Sequence, residues 1–233
     1  MNRTPENPFF AWPGWQHIRW ASVLIFFVTA WFCVAFAGAN WFTAHRTTHV
    51  RVDLGFEAYI PLVPAFTLVY MSIYPLFLAV PFVLRTKREV RNLAIVQSTT
   101  ILIAGICFLL IPAKLAFVPP SDSELGVWKS LFRFADRLNL DYNLVPSLHV
   151  ALSIICIEFF CLHANGAGKI ILRLWGLAIA ASTLFTHQHH LIDVGAGYSL
   201  ALAVVKFAYR AQGAAKIAAP ITVTSEASTI SYR

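Results

Sequence analysis

Six stretches of this chain are apolar for about the length of a membrane-crossing helix: residues 20–39, 60–84, 93–113, 146–163, 169–187 and 191–209. A bilayer core is about 30 Å thick and takes about 20 helical residues to cross. In that core only helices and closed barrels satisfy their own backbone groups. The runs therefore predict an all-α fold, a six-transmembrane-helix bundle forming one domain. The sequence is 58% hydrophobic and 12% charged, where soluble domains carry about 25% charged residues. The net charge of +7 could suit nucleic acid. However, the cations lie between the apolar runs, and no Gly-rich phosphate loop or basic-aromatic motif accompanies them. The lipid bilayer is the expected partner, and nucleic acid is not.

Local signals refine this plan. Cys33, Cys107, Cys156 and Cys161 all lie in apolar runs, as small buried hydrophobes do. Pro61, Pro64, Pro75 and Pro81 crowd the second run and predict a kinked helix. Ala35-Phe36-Ala37 resembles a signal-peptidase site, but the long tryptophan-rich segment before the run argues for a retained helix. With the N-terminus in the cytoplasm, twelve of the 18 Lys and Arg residues fall on the inner side, including Arg85, Lys87 and Arg88. That is the expected bias, and it places both termini inside. Residues 1–19 are then a cytoplasmic segment, 20–210 the membrane domain and 211–233 a disordered cytoplasmic tail.

The outer loop between helices 3 and 4, residues 115–145, has a pattern of its own. Ser121 and Glu124 have capping-box spacing. Trp128, Leu131, Ala135 and Leu138 share one helical face, while Lys129, Arg133 and Arg137 recur on another. This predicts a short interfacial helix, whose cations could anchor it to anionic lipid or attract a phosphorylated headgroup.

The residues able to do chemistry cluster at the ends of the apolar runs. His189 and Asp193 are four apart, which on a helix puts them on one face. A carboxylate there can take one ring N–H, fix the tautomer and leave the other nitrogen as a nucleophile. Pro146-Ser147-Leu148-His149 opens another run. Pro146 suits a first helical turn, whose free N–H groups with the Ser147 hydroxyl can hold an anionic oxygen. His149 could protonate a leaving oxygen. The topology puts both segments and Lys114 at the outer surface. Lys114 and His187 are further candidate phosphate contacts. Glu158 lies deeper, within reach of Lys206 as an ion-pair partner, and is not assigned to catalysis.

Together these residues resemble the type-2 phosphatidic acid phosphatase superfamily over about residues 60–210. The family carries a Lys-containing motif, a Pro-Ser-Gly-His motif and a Ser-Arg-(five residues)-His-x-x-x-Asp motif. Here Lys114 answers to the first, with Pro119-Pro120 where Arg-Pro is expected. Pro146-Ser147-Leu148-His149 answers to the second, and Ser182-Thr183 with His189 and Asp193 to the third. Leu148 for Gly, and Thr186, His187, His189 and Asp193 together, look more like the branch containing inositol phosphorylceramide synthase and bacterial homologues. Tyr70-Met71-Ser72-Ile73-Tyr74 and residues 108–117 resemble the same members. The resemblance implies a metal-independent phosphatase or phosphotransferase, with no cofactor, in the plasma (bacterial inner) membrane. His189 would form a phosphohistidine, Asp193 would orient it, and His149 would act as acid and then base. Water or an alcohol would be the acceptor. The two missing arginines point to a phosphodiester substrate, or to charge supplied by Arg133 or Arg137.

Three alternatives have distinct signatures. His187-Gln188-His189-His190 looks like part of a His-box of a metal-dependent oxidase, which a stoichiometric transition metal would favour. A transporter needs polar groups near the midplane, where the runs offer little beyond Gln97 and Glu158. A catalytically degenerate family member would keep the fold and lose turnover.

Overall fold

The computed structural model describes residues 8–140 and 142–218, with side chains to residue 209. The described residues are all helical apart from loops and one isolated bridge between Val50 and Ala113. The helices are α1 (Trp15–Ala44), α2 (Thr67–Met71), α3 (Ile73–Leu78), α4 (Val80–Val83), α5 (Lys87–Leu110), α6 (Asp122–Leu125), α7 (Lys129–Leu138), α8 (Leu148–Phe160), α9 (Gly166–Phe185) and α10 (Leu191–Ala218).

Four of these, α1, α5, α9 and α10, are long and apolar enough to cross a membrane. The expected six is thus corrected to four, within a multi-pass helical architecture. The second run does not form a single kinked helix. Pro64 opens a 3-10 turn, Pro75 lies within α3 and Pro81 in the first turn of α4. Each proline lacks an N–H and crowds the preceding turn, so the run is divided into short pieces. The fourth run gives only the 13 residues of α8, about 20 Å at 1.5 Å per residue. Nearly every side chain of α8 is buried, because it is the central post against which α5, α9 and α10 pack. A helix that is apolar all round fits such a position.

Close packing against α8 depends on small residues, as in membrane bundles generally. A Cβ at Gly176 of α9 would lie 2.9 Å from the tips of Ile154 and Ile157. The outward faces remain apolar, with Phe26, Ile171 and Phe207 exposed, as a lipid-facing surface requires.

The helix expected in the 115–145 loop forms in two pieces. Ser121 and Glu124 make the expected capping box at α6. Gly126, at φ +52°, then turns the chain before α7. The buried face is Leu125, Phe132 and Ala135, rotated from the expected Trp128–Leu138 stripe, since Leu138 is exposed. At the other end of the chain, α10 continues to Ala218, past the expected boundary at 210. The rest of the expected disordered tail, 219–233, and the first seven residues of the expected cytoplasmic segment lie outside the described residues.

Candidate active site

One end of the bundle gathers the loops after α1, α5 and α9 and the N-termini of α8 and α10. Ser147 begins α8 as its N-cap: its Oγ accepts the Val150 N–H at 3.3 Å. Its own N–H donates to the Asp193 carbonyl at 3.0 Å. Pro146 therefore lies before the cap rather than in the first helical turn. Ser147 is fully buried, with its N–H donating and its Oγ accepting. Its O–H and the N–H groups of Leu148 and His149 are the donors of this turn without a partner among the described residues.

His189 is also displaced from its expected place. The helix starts at Leu191, so His189 belongs to the α9–α10 turn. Two N–H groups of that turn converge on the Thr183 carbonyl, from Gln188 at 2.9 Å and His189 at 3.2 Å. The pair nonetheless forms, with His189 Nδ1 3.3 Å from Asp193 Oδ2. The same Oδ2 accepts the His190 N–H at 2.8 Å. Asp193 is thus a carboxylate in the first turn of α10 that reaches back to the residue before the helix, half of a capping box. It is fully buried, and its Oδ1 has no hydrogen-bond partner among the described residues. His189 Nε2 makes no hydrogen bond among the described residues. With the proton on Nδ1, that nitrogen carries the lone pair.

His149 is held differently. Its Nε2 lies 3.0 Å from the Tyr70 carbonyl, an acceptor, so Nε2 carries the proton. Its ring stacks on the Tyr70 ring at 3.9 Å. The Tyr70 hydroxyl donates to Asn139 Oδ1 at 2.7 Å, Asn139 donates to Gln188, and Gln188 donates to Asp136 at 3.3 Å. This chain of hydrogen bonds joins His149, the His189 turn and α7.

The remaining candidates divide. Lys114 is exposed, with its backbone N–H tied to Val50 and its ammonium without an ion pair among the described residues. Arg137 is likewise exposed and without an ion pair among them. Arg133 is occupied, donating to the Pro120 carbonyl at 2.7 Å and to Asp122 at 3.0 Å. Hydrogen bonds from Lys129 and Arg133 hold the Asp122 carboxyl below the usual carboxylate range. His187, at φ +54°, points Nε2 at the Ile60 carbonyl at 3.0 Å and stacks on Phe117. Thr183, where the motif has arginine, is fully buried and donates to Ala180 of its own helix at 2.8 Å. Glu158 pairs with Arg173 through two contacts of 2.9 and 3.0 Å, not with Lys206. His149, His187, His189 and His190 address separate partners: Tyr70, Ile60, Asp193 and Glu57 respectively.

The sequence profile of the PAP2 superfamily matches residues 46–207. The chain belongs to the PAP2 superfamily. The matched region contains the three long helices α5, α9 and α10 for most or all of their length, with α8 at their centre. It includes every candidate site residue named above. A PAP2 membrane phosphatase or phosphotransferase fold therefore brings His149, His189 and Asp193 to one end of its bundle.

Several residues of this end carry no motif signal. Glu57 and His190 meet at 2.6 Å across 133 positions, a separation no local pattern reveals. Tyr70 lies in none of the three motifs, and its contact with His149 is a tertiary fact. Gly197 is read only from packing.

Proposed function

We propose that this PAP2 protein is a lipid phosphotransferase or phosphatase that works through a phosphohistidine at His189. The observation that carries the reading is the His189–Asp193 pair, which leaves Nε2 as the ring nitrogen without a partner among the described residues. In the first step Nε2 forms a bond to phosphorus as the phosphorus–oxygen bond to the leaving alcohol breaks. Asp193 stabilises the charge that develops on the ring. His149 enters this step doubly protonated: its Nε2–H stays on the Tyr70 carbonyl and its Nδ1–H passes to the leaving alcohol, which leaves the neutral ring with a lone pair on Nδ1. In the second step His149 takes a proton from the acceptor as its oxygen attacks phosphorus and the nitrogen–phosphorus bond breaks. Water yields a phosphatase and a lipid alcohol a transferase.

The site suits a phosphodiester donor. A phosphate monoester carries about −1.5 to −2 near neutrality, whereas a diester carries a single charge. Thr183 supplies no charge, and Arg133 is shared with Asp122. Lys114 and Arg137 are the candidate cations without an ion pair among the described residues. Pro-Ser-Leu-His and the Thr-His-x-His stretch support a place near the inositol phosphorylceramide synthase branch. The cation distribution supports an extracytoplasmic site with cytoplasmic termini.

The test is to incubate purified protein with labelled phosphatidate and labelled phosphodiester lipids, with and without lipid alcohols. A new phospholipid formed only with acceptor supports transfer; free phosphate from phosphatidate, or a phosphomonoester from a phosphodiester lipid, supports hydrolysis. No turnover on any arm would sink the reading in favour of a degenerate family member. A second outcome separates the roles of the histidines. His149→Gln should slow reaction of an alkyl phosphoester about 10²- to 10³-fold, the usual scale of general acid–base catalysis. The same variant should lose much less on a nitrophenyl ester, whose leaving group needs no proton. Equal losses on both would remove His149 from the acid role.

A further inference from the structure

Glu57 lies in the loop after α1, on a short 3-10 turn over Gly55–Tyr59, and is 1% exposed. A buried carboxylate is costly unless its oxygens are satisfied. Here both are. Oε1 accepts the Leu191 N–H at 2.7 Å. Oε2 accepts the Leu54 N–H at 3.2 Å and faces His190 Nδ1 at 2.6 Å. His190 is equally buried, and its other nitrogen, Nε2, accepts the Ala116 N–H at 3.2 Å. The tautomer is therefore determined: Nε2 has the lone pair, so the proton is on Nδ1 and is donated to Glu57. Phe117 completes the enclosure by stacking between His190 and His187, at 4.7 and 4.2 Å.

The start of α10 is thus held by two buried carboxylates on successive N–H groups, Asp193 on His190 and Glu57 on Leu191. Both favour the positive end of the helix. His189 is the residue immediately before this clamp. On its other side Gln188 is tied to Asn139 and Asp136. Its neighbours are fixed by three separate segments of chain, while its own side chain makes one bond.

We propose that Glu57 and His190 are a positioning pair for His189: the buried Glu57–His190 contact fixes the backbone from which the His189 ring reaches substrate. The proposal rests on the reading of His189 as the nucleophile. Glu57→Gln makes a specific conflict. An amide can still accept from Leu191, but the atom facing His190 becomes a donor. His190 can then satisfy either the glutamine or Ala116, not both, and the start of α10 loosens. A shift of about 1 Å at a reacting group can cost about 10²-fold.

The test uses the full-length protein labelled with ¹⁵N-histidine. In the wild type His190 should show a protonated Nδ1 and an unprotonated Nε2, and Glu57→Gln should abolish that signature. With whichever labelled lipid the panel shows to be turned over, Glu57→Gln should lower kcat about 10- to 100-fold and leave KM within about twofold. His190→Phe, which keeps the stack on Phe117 but cannot donate, should give a similar loss, and the double variant should be no worse than either. The opposite tautomer in the wild type, additive losses, or unchanged kcat in the folded Glu57→Gln protein would overturn the proposal. If Glu57→Gln does not fold, His190→Phe carries the kinetic comparison and the wild-type spectrum carries the structural one. Retained turnover in His189→Ala would instead overturn the nucleophile reading, while the spectrum still reports whether the pair exists.

Discussion

Replacing His189 by Ala is expected to lower turnover by about 10³-fold or more, the scale of losing an attacking group, while the protein still inserts and folds. The expectation of folding comes from how little the side chain supports. Its one hydrogen bond is the 3.3 Å contact to Asp193, and a hydrogen bond to a charged group contributes about 1.5–3 kcal/mol at most. Asp193 keeps the His190 N–H at 2.8 Å after the change. The decisive companion measurement is trapping. A donor labelled at phosphorus, quenched under alkaline conditions, should leave label on the wild-type chain at His189 and none on His189→Ala. Label retained by the variant, or turnover above about 1% of wild type, would mean that another group attacks phosphorus.

The legible parts of this protein were those written in short spacings. His189 and Asp193 do pair, although by a turn-to-helix contact rather than along one helical face. The spacing of four suits both geometries, so it predicts the contact and not its form. The capping box at Ser121 and Glu124 was legible for the same reason: its two bonds join residues three apart. The 146–163 run misled because an all-apolar pattern fits a lipid-facing span and a buried central post equally well. What surrounds α8 decides between them, and that is set by α5, α9 and α10. Prolines announced a disturbed second run, but whether a run bends or divides depends on which neighbours satisfy the freed carbonyls. Glu158 could have met either Arg173 or Lys206, both near the same end of the bundle. Geometry selected Arg173, fifteen residues away. Long-range pairs such as Glu57 with His190 leave no trace in one sequence, because nothing about an acid in a loop names its partner.

Gly197 exposes how tightly the two motif segments are joined. Asp193 and Gly197 are one turn apart on α10 and both meet Ser147. The Asp193 carbonyl accepts the Ser147 N–H at 3.0 Å, and a Cβ on Gly197 would lie 2.4 Å from the Ser147 oxygen. That oxygen cannot swing aside freely, since it accepts the first α8 bond, from Ala151 at 3.0 Å. Alanine at 197 should therefore push α10 away from α8 by about 1 Å to reach ordinary contact distance. Overpacking of this kind costs about 1–3 kcal/mol, against a gain of about 0.8–1.0 kcal/mol from replacing glycine within a helix. The balance should be destabilising, by about 2–4 °C in Tm per net kcal/mol for a chain of this size, and larger for Gly197→Val. Turnover should also fall, because the Ser147–Asp193 bond ties the start of α8, which carries His149, to the start of α10. Gly195 supplies the control. It lies on the same helix with nothing within 4 Å of its added Cβ, so Gly195→Ala should match or exceed wild-type stability and keep its activity. Equal Tm and equal turnover for the two alanine variants would show that α8 and α10 do not approach as closely as the Ser147–Gly197 contact requires.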